Sequence, residues 1–284
     1  MNHSGILYVV ATPIGNLQDI TLRALEILKS VDAIAAEDTR HTSGLLTHYG
    51  IQKKLIAVHE HNEHKSGEAL LARLQAGESV ALVTDAGTPG ISDPGAVVVD
   101  VLRKAGVRVV PIPGPSAVIA ALSASGITAP GFLFYGFLPA SGSQRRKVLE
   151  DLKTQTATLV FYEAPHRVLE SVADMATVLG NDRRLTLARE LTKTFETFYR
   201  CPLGEALAWL QSDTNQQRGE FVLLVETAPV VDAGPVSEEA EHVLKLLLAE
   251  LPLKQAVKLA ADISGAKKNA LYDLALKLQS HDHE

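Results

Sequence analysis

Apolar positions in the first part of the chain follow two alternating rhythms. Short runs that are almost wholly apolar fall at residues 8–11, 33–36, 80–83 and 107–110. Between them, residues 21–30, 65–76 and 96–105 repeat their apolar positions at the spacing of a helix face. Short apolar runs read as strands buried on both faces, and their alternation with helices predicts a mainly parallel sheet. The pattern restarts after Pro113-Gly114-Pro115. It predicts a helix over 116–125, strands at 132–135 and 158–162, a helix over 166–179, and strands near 184–189, 195–200 and 220–226. Those last strands lie close together, so the second sheet is expected to be mixed or antiparallel.

A third pattern follows. The segment Ala228-Pro-Val-Val-Asp-Ala-Gly-Pro235 has the composition of a linker. Beyond it Ser237 is placed to cap a helix with Glu238 and Glu239 in its first turn. Ala240, Val243, Leu244, Leu247 and Leu248 then make an apolar stripe. Leu253, Ala256, Val257 and Ala260 make a second, and Leu271, Leu274, Ala275 and Leu278 a third. A tight Ser264-Gly265 turn separates the last two in the manner of a helix-turn-helix. The expected fold class is therefore α/β, with two lobes over 1–115 and 116–228 and a small all-helical module over 237–284.

Composition adds limits. The 284 residues are 46% hydrophobic and 21% charged, as in an ordinary globular protein. No run approaches the roughly 20 apolar residues that span a bilayer. The single cysteine, Cys201, permits no internal disulfide and reads as a core residue. A cytoplasmic location and no membrane partner are expected. The net charge of −6 argues against indiscriminate coating of nucleic acid. Residues 253–279 oppose that average: Lys254, Lys258, Lys267, Lys268 and Lys277 against Asp262 and Asp273 give a local +3, leaving −9 elsewhere. A polyanion would dock there, with Lys267 and Lys268 at the opening of the last helix.

Three strand-end loops carry the candidate chemistry, because ligands of open α/β sheets bind beyond the carboxyl ends of the strands. They are Ala11-Thr-Pro-Ile-Gly-Asn-Leu17, Thr84-Asp-Ala-Gly-Thr-Pro-Gly-Ile-Ser-Asp-Pro-Gly95 and Pro111-Ile-Pro-Gly-Pro-Ser-Ala117. Glycine and proline together fix irregular backbone and let it approach a ligand closely. The dinucleotide fingerprint G-x-G-x-x-G, the Walker A loop, the G-x-S-x-G elbow and C-x-x-C are all absent from the sequence. The segment His59-Glu-His-Asn-Glu-His64 lacks the H-E-x-x-H spacing, so no metal is assigned to it. The residues alone thus lead to a two-lobed protein with a small-molecule cleft and a basic helical tail.

Read together, these loops and several later motifs resemble the tetrapyrrole-methylase family of S-adenosylmethionine-dependent enzymes, and most closely its branch acting on small-subunit ribosomal RNA. The resemblance is carried by the first loop through Ala24 and by Ala36-Glu-Asp-Thr-Arg40, Asp85 to Gly95, and Pro113 to Ala117. Phe161-Tyr-Glu-Ala-Pro-His-Arg167, Arg189-Glu-Leu-Thr-Lys193 and Arg218-Gly-Glu-Phe221 complete it. It implies a homodimer and S-adenosylmethionine bound between the lobes. The implied cofactor contacts are Pro13, Asp85, Ala86, Gly87, Thr88, Ile91, Ser116, Ala117, Tyr162, Ala188 and Leu191. The implied reaction is methyl transfer to the ribose 2′-hydroxyl of a cytidine near the decoding centre of 16S ribosomal RNA.

Such a hydroxyl needs a base, or a donor to the developing alkoxide. The motifs offer Glu37, Asp38 and Glu190 as acids, and Arg40, Arg189 and Lys193 as phosphate or oxyanion contacts. Lys254, Lys258, Lys267 and Lys268 are the expected RNA contacts of the tail. Two other readings stay open: a tetrapyrrole methylase whose activity ignores the tail, and a cofactor-sensing regulator that binds DNA through it.

Overall fold

The computed structural model describes residues 5–59, 62–227, 236 and 238–281. They divide into two compact units, which meet in sequence between Thr227 and Ala228.

The first unit contains two five-stranded sheets. In the first, β1 (Ile6–Val10), β2 (Ala33–Ala36), β3 (Lys54–Ala57), β4 (Val80–Val83) and β5 (Arg108–Ile112) run parallel in the order β3-β2-β4-β1-β5. Alternating residues of one strand serve opposite faces, so the central strands β2 and β4 are apolar throughout. Leu7, Val80 and Leu82 pack on one side with Leu70 and Leu74 of α3 (Glu63–Gln75) and Val98 and Leu102 of α4 (Ala96–Lys104). Val10, Ile34, Ala36, Ala81 and Val83 pack on the other with Ala24 and Leu28 of α1 (Leu22–Ser30) and Leu46 of α2 (Thr39–His48). The strand expected to stop at residue 110 continues to Ile112. Pro111 is tolerated there because β5 is an edge strand.

The second sheet contains β6 (Phe132–Phe137), β7 (Thr158–Glu163), β8 (Arg184–Arg189), β9 (Thr197–Pro202) and β10 (Phe221–Val225) in the order β6-β7-β10-β8-β9. Only β6 and β7 pair in parallel, so the sheet is mixed. One face, with Leu159, Phe161, Leu187 and Leu223, packs on α6 (Gly142–Leu152), α7 (Val168–Leu179) and α8 (Leu203–Ser212). Cys201 lies buried in that core. The opposite face, with Val160, Tyr162, Ala188, Val222 and Leu224, packs against Val118 and Ala121 of α5 (Ala117–Ala124) and against Ile14 of the first loop. That shared face joins the two lobes.

Four elements have no counterpart in the sequence reading: α2, β3, α6 and α8. Helix α2 buries only Thr42 and Leu46, and β3 has no fully buried residue, so neither writes a strong apolar period. Helix α6 is polar enough to read as loop, yet it buries Arg145, paired at 2.7 Å with Asp174 of α7.

The second unit is α9 (Glu238–Glu250), α10 (Leu253–Ser264) and α11 (Lys268–His281). Ala240, Leu244, Val257, Ala260, Leu271 and Ala275 form its buried centre. Gly265 ends α10 in the left-handed conformation at φ 69°, the backbone a sharp stop requires. The linker at 228–235 and the cap assigned to Ser237 lie outside the described residues.

Candidate active site

The loops after β1, β4 and β5 are tied to one another. Thr12 and Gly87 exchange backbone hydrogen bonds of 2.8 and 3.1 Å, and the Thr12 hydroxyl donates to the Thr84 carbonyl at 3.0 Å. The Thr88 hydroxyl donates to the Pro115 carbonyl at 3.1 Å, joining the second loop to the third. The carboxyl ends of three strands thereby become one rigid floor.

The second lobe approaches that floor closely. The Asn16 N–H donates to the Thr192 hydroxyl at 3.1 Å. A Cβ on Gly15 would stand 2.6 Å from Lys193 Cγ and 2.9 Å from Thr192 Oγ1, so only glycine permits this approach. On the other side, a Cβ on Gly136 of β6 would stand 2.8 Å from Ser92 Oγ. Among the described residues, the non-glycine positions with positive φ are Ser92, Glu190 and Thr192. All three lie on loops flanking the lobe junction, where strained backbone commonly serves function.

A pocket of about 330 Å³ lies at this junction. Ala86, Gly87, Thr88, Ile91 and Asp93 come from the loop after β4, and Ser116 and Ala117 from the start of α5. Phe137, Tyr162, Leu191 and Val222 supply an apolar wall from the second lobe. Burial first, and the nearby Asp93 charge also, push the Tyr162 hydroxyl up to about 12, while the Val118 N–H holds that oxygen. Ser116 makes no side-chain bond to the α5 amides, leaving that end available to a small anionic group.

Around the rim, charges pair off. Arg40 and Asp38 bond at 2.8 Å, and the Arg40 hydrogen bonds hold the Asp38 carboxyl well below the usual carboxylate range. Asp38 also caps α2 by accepting the Arg40 N–H. Lys193 donates to both Glu190 and Glu220 at 2.9 Å. Burial pushes Glu190 up most strongly, but Lys193, the Glu220 N–H and Arg189 together hold it below its ordinary value. Arg189 donates to the Arg218 and Phe195 carbonyls, which fixes the ends of β8 and β9.

Family comparison agrees with this architecture. Residues 6–207 match the model described as Tetrapyrrole (Corrin/Porphyrin) Methylases. The chain belongs to the tetrapyrrole methylase family. Residues 234–279 match a second model, described as RsmI C-terminal HTH domain. Relatives that cover nearly the whole chain bear the name Ribosomal RNA small subunit methyltransferase I. The one from Escherichia coli O157:H7 is 54% identical, over 98% of this chain and 97% of its own. That from Pseudomonas aeruginosa PAO1 is 55% identical, over 97% of this chain and 98% of its own. A solved uroporphyrin-III C-methyl transferase from Thermus thermophilus, complexed with S-adenyl homocysteine, has the same fold at 19% identity and a TM-score of 0.55. It covers 78% of this chain and 97% of its own.

Of the cofactor contacts expected for a tetrapyrrole methylase, Ala86, Gly87, Thr88, Ile91, Ser116, Ala117, Tyr162 and Leu191 line the pocket. Pro13, Asp85 and Ala188 stand outside its lining. Pro13 adjoins the Thr12–Gly87 bridge, Asp85 accepts the Asp38 N–H at 3.1 Å, and Ala188 packs in the apolar face behind Tyr162. None of the candidate catalytic residues lines the pocket either. Sequence reading missed Ile14, Asp93, Phe137, Glu163 and Glu220, each of which lines it. For Ile14, Asp93, Glu163 and Glu220 the signal was available, since all four fall inside quoted motifs; for Phe137 there was none, because it lies beyond the strand expected at 132–135.

The His59–His64 segment has a structural use. Glu63 is buried, and one carboxylate oxygen accepts the N–H of Gly95 at 2.8 Å and of Val97 at 3.1 Å. This anchors the far end of the β4–α4 loop. Among the described residues no group of His, Cys, Asp or Glu is arranged to hold a metal ion.

Proposed function

We propose that this chain is an S-adenosylmethionine-dependent methyltransferase of small-subunit ribosomal RNA, and that its acceptor is the ribose 2′-hydroxyl of a cytidine near the decoding centre. The observation that carries the reading is identity above 50%, over nearly the whole chain, to relatives named for that RNA. That span includes the helical module at 234–279. The module also weighs against the tetrapyrrole alternative, since the solved uroporphyrin enzyme is matched almost completely by 78% of this chain.

The pocket fits the cofactor. Its volume lies in the range of small-molecule sites, and its walls are apolar apart from a few directed polar groups. Carboxylates at Asp93, Glu163 and Glu220 suit a cationic ligand. The uncapped start of α5 suits a carboxylate. Ala86, Gly87, Thr88, Ile91, Ser116, Ala117, Tyr162 and Leu191 would hold it directly, with Pro13, Asp85 and Ala188 supporting them from behind. When bound, it supplies an electrophilic methyl group on a sulfonium.

The chain's own task is alignment. The tied loops fix one side of the pocket and the Glu190–Lys193–Glu220 group fixes the other. Exposed Arg40 is placed to take an RNA phosphate, with Asp38 orienting it. Glu37 accepts the Asp85 N–H at 3.3 Å and sets the charge beneath the pocket. Arg189 holds the strand ends that carry Glu190. Lys254, Lys258, Lys267 and Lys268 contact RNA from the helical module. A homodimer is supported by the exposed apolar residues Phe132, Leu133 and Tyr135 on edge strand β6. Among the described residues no helix is long and apolar enough to cross a membrane. A ribosomal substrate supports a cytoplasmic location.

The test is stoichiometric methylation of small subunits lacking the modification, with the methyl located on one ribose. Transfer to free tetrapyrrole with none to subunits is the result that rejects the reading.

A further inference from the structure

Outside edge strand β6 and the helical module, Phe195 is the exposed aromatic ring among the described residues, with 70% of its surface open. Its loop, between β8 and β9, is nonetheless braced along its length. The Glu190 N–H donates to the Glu220 carbonyl at 3.0 Å, the Lys193 N–H to the Glu190 carbonyl at 3.0 Å, and the Glu196 N–H to the Lys193 carbonyl at 3.1 Å. The Glu196 carboxylate accepts the Thr192 N–H at 2.7 Å, and the Thr197 hydroxyl donates to the Phe195 carbonyl at 3.0 Å. Glu190 and Thr192 take left-handed backbone at φ 53° and 65° to complete the turn. A lone exposed apolar side chain is ordinary on a protein surface. A strained, cross-braced loop that holds a large ring out in water has the form of a contact surface.

The loop stands at the mouth of the pocket. Leu191, four residues before the ring, lines that pocket, and the Thr192 hydroxyl accepts the Asn16 N–H across the lobe junction. A cation stands beside the same loop. The Arg189 guanidinium donates to the Phe195 carbonyl at 3.3 Å and to the Arg218 carbonyl at 3.1 Å, so those two stretches of main chain are neighbours. The Arg218 side chain is exposed and reaches Asn215 Oδ1 at 3.4 Å. Among the described residues it pairs with no carboxylate. The acids around the loop are engaged elsewhere: Lys193 pairs with Glu190 and Glu220, and Glu196 holds the Thr192 amide.

We propose that Phe195 and Arg218 form a subsite for unstacked RNA at the pocket mouth, the ring stacking on a base of the acceptor strand and the guanidinium taking a neighbouring phosphate. The assignment rests on the RNA-methylation reading of the pocket. A ribose whose hydroxyl enters a pocket between two lobes must leave its stack, and its base then loses the contact of its neighbours. An exposed ring on an immobile loop replaces that contact, and since every base has a π-face it does so without reading identity. An arginine beside the ring adds the phosphate contact that fixes the strand's position. A second copy of this chain is the other candidate occupant. The centre of such an interface is depleted in charge, whereas this ring is flanked by exposed Thr194 and Glu196 and by Arg218.

The experiment is single-turnover transfer of labelled methyl from S-adenosylmethionine to purified small ribosomal subunits lacking the modification. Wild type, Phe195→Ala, Phe195→Leu, Phe195→Trp and Arg218→Gln are compared, with cofactor affinity by calorimetry and oligomeric mass by light scattering for each. Phe195→Ala should bind cofactor normally but transfer about 5- to 100-fold more slowly at limiting enzyme. Phe195→Leu should stay slow, and Phe195→Trp should restore the rate. Subunits should also quench the new indole, with the wild type, which has Trp209 alone, as the background. Arg218→Gln should flatten the log–log salt dependence of subunit binding by roughly 0.7, the share of one single-strand phosphate. Transfer by Phe195→Ala within about twofold of wild type overturns the proposal, as does equal rescue by leucine and tryptophan or an unquenched indole. A fall in oligomeric mass on Phe195→Ala makes the ring a self-association contact, and a loss of cofactor affinity makes it part of the pocket; either result also overturns the subsite. No transfer by the wild type rejects the substrate reading and the subsite with it; wild-type transfer that survives in Phe195→Ala rejects only the subsite.

Discussion

At the scale of single residues, the pocket holds groups whose placement costs stability. Asp93 is raised above its ordinary value on folding, so the folded state binds more protons than the unfolded state between about pH 4 and 7. Stability is therefore highest below that window and falls as pH rises through it. Asp93→Asn removes the penalty and should raise Tm at pH 8 by roughly 3–6 °C, with little change at pH 4, in thermal melts at the two pH values. Gly15 acts through space rather than charge. Gly15→Ala drives a methyl into Lys193 and Thr192, separates the first loop from the second lobe, and should weaken cofactor binding by about tenfold or more in a calorimetric titration. The glycine and proline loops were legible in the sequence because unusual backbone demands unusual residues. The tuning of Asp93 was not, because it comes from burial in the pocket and from the charge of Glu37, which reaches the loop only when β2 and β4 pair.

At the scale of elements, Glu63 shows how a helix can serve a site without touching the ligand. It opens α3 while its carboxylate satisfies two backbone donors at the start of α4. Glu63→Ala leaves the buried Gly95 N–H without an acceptor and should cost about 1–3 kcal/mol in urea unfolding, with Glu63→Gln losing less. If the loop then wanders, KM for the cofactor should rise in the alanine variant. The histidine-rich appearance of residues 59–64 drew attention to metal chemistry, whereas the working residue among those described is a glutamate whose partners lie more than thirty positions away. The parallel lobe was readable because its central strands β2 and β4 are buried on both faces. Helices α2 and α6 were not, since one buries two side chains and the other buries an arginine that only Asp174 makes acceptable.

At the scale of the whole molecule, charge is distributed by task. The body is acidic, while residues 253–279 carry a local +3 and put Lys267 and Lys268 at the start of α11. Changing both lysines to glutamate should lower affinity for small subunits and flatten its dependence on salt, by roughly 1 to 2 in the log–log slope, with cofactor affinity retained. A slope unchanged by both substitutions would remove the module from the RNA interface. Helical stripes made this module plain in the sequence, and the mixed sheet was foreseen from strand spacing alone. How a pocket closes between two sheets was beyond reach, because it depends on which faces meet.

The most direct test of the central claim is to incubate the protein with labelled S-adenosylmethionine and small ribosomal subunits lacking the modification, then hydrolyse the RNA with alkali. Methylation of a ribose 2′-hydroxyl removes the nucleophile that alkali uses to cut the chain. The account predicts label in a single alkali-resistant dinucleotide beginning with a 2′-O-methylated cytidine. Label recovered in an alkali-sensitive mononucleotide, or no label in subunits while a tetrapyrrole accepts it, would contradict the account.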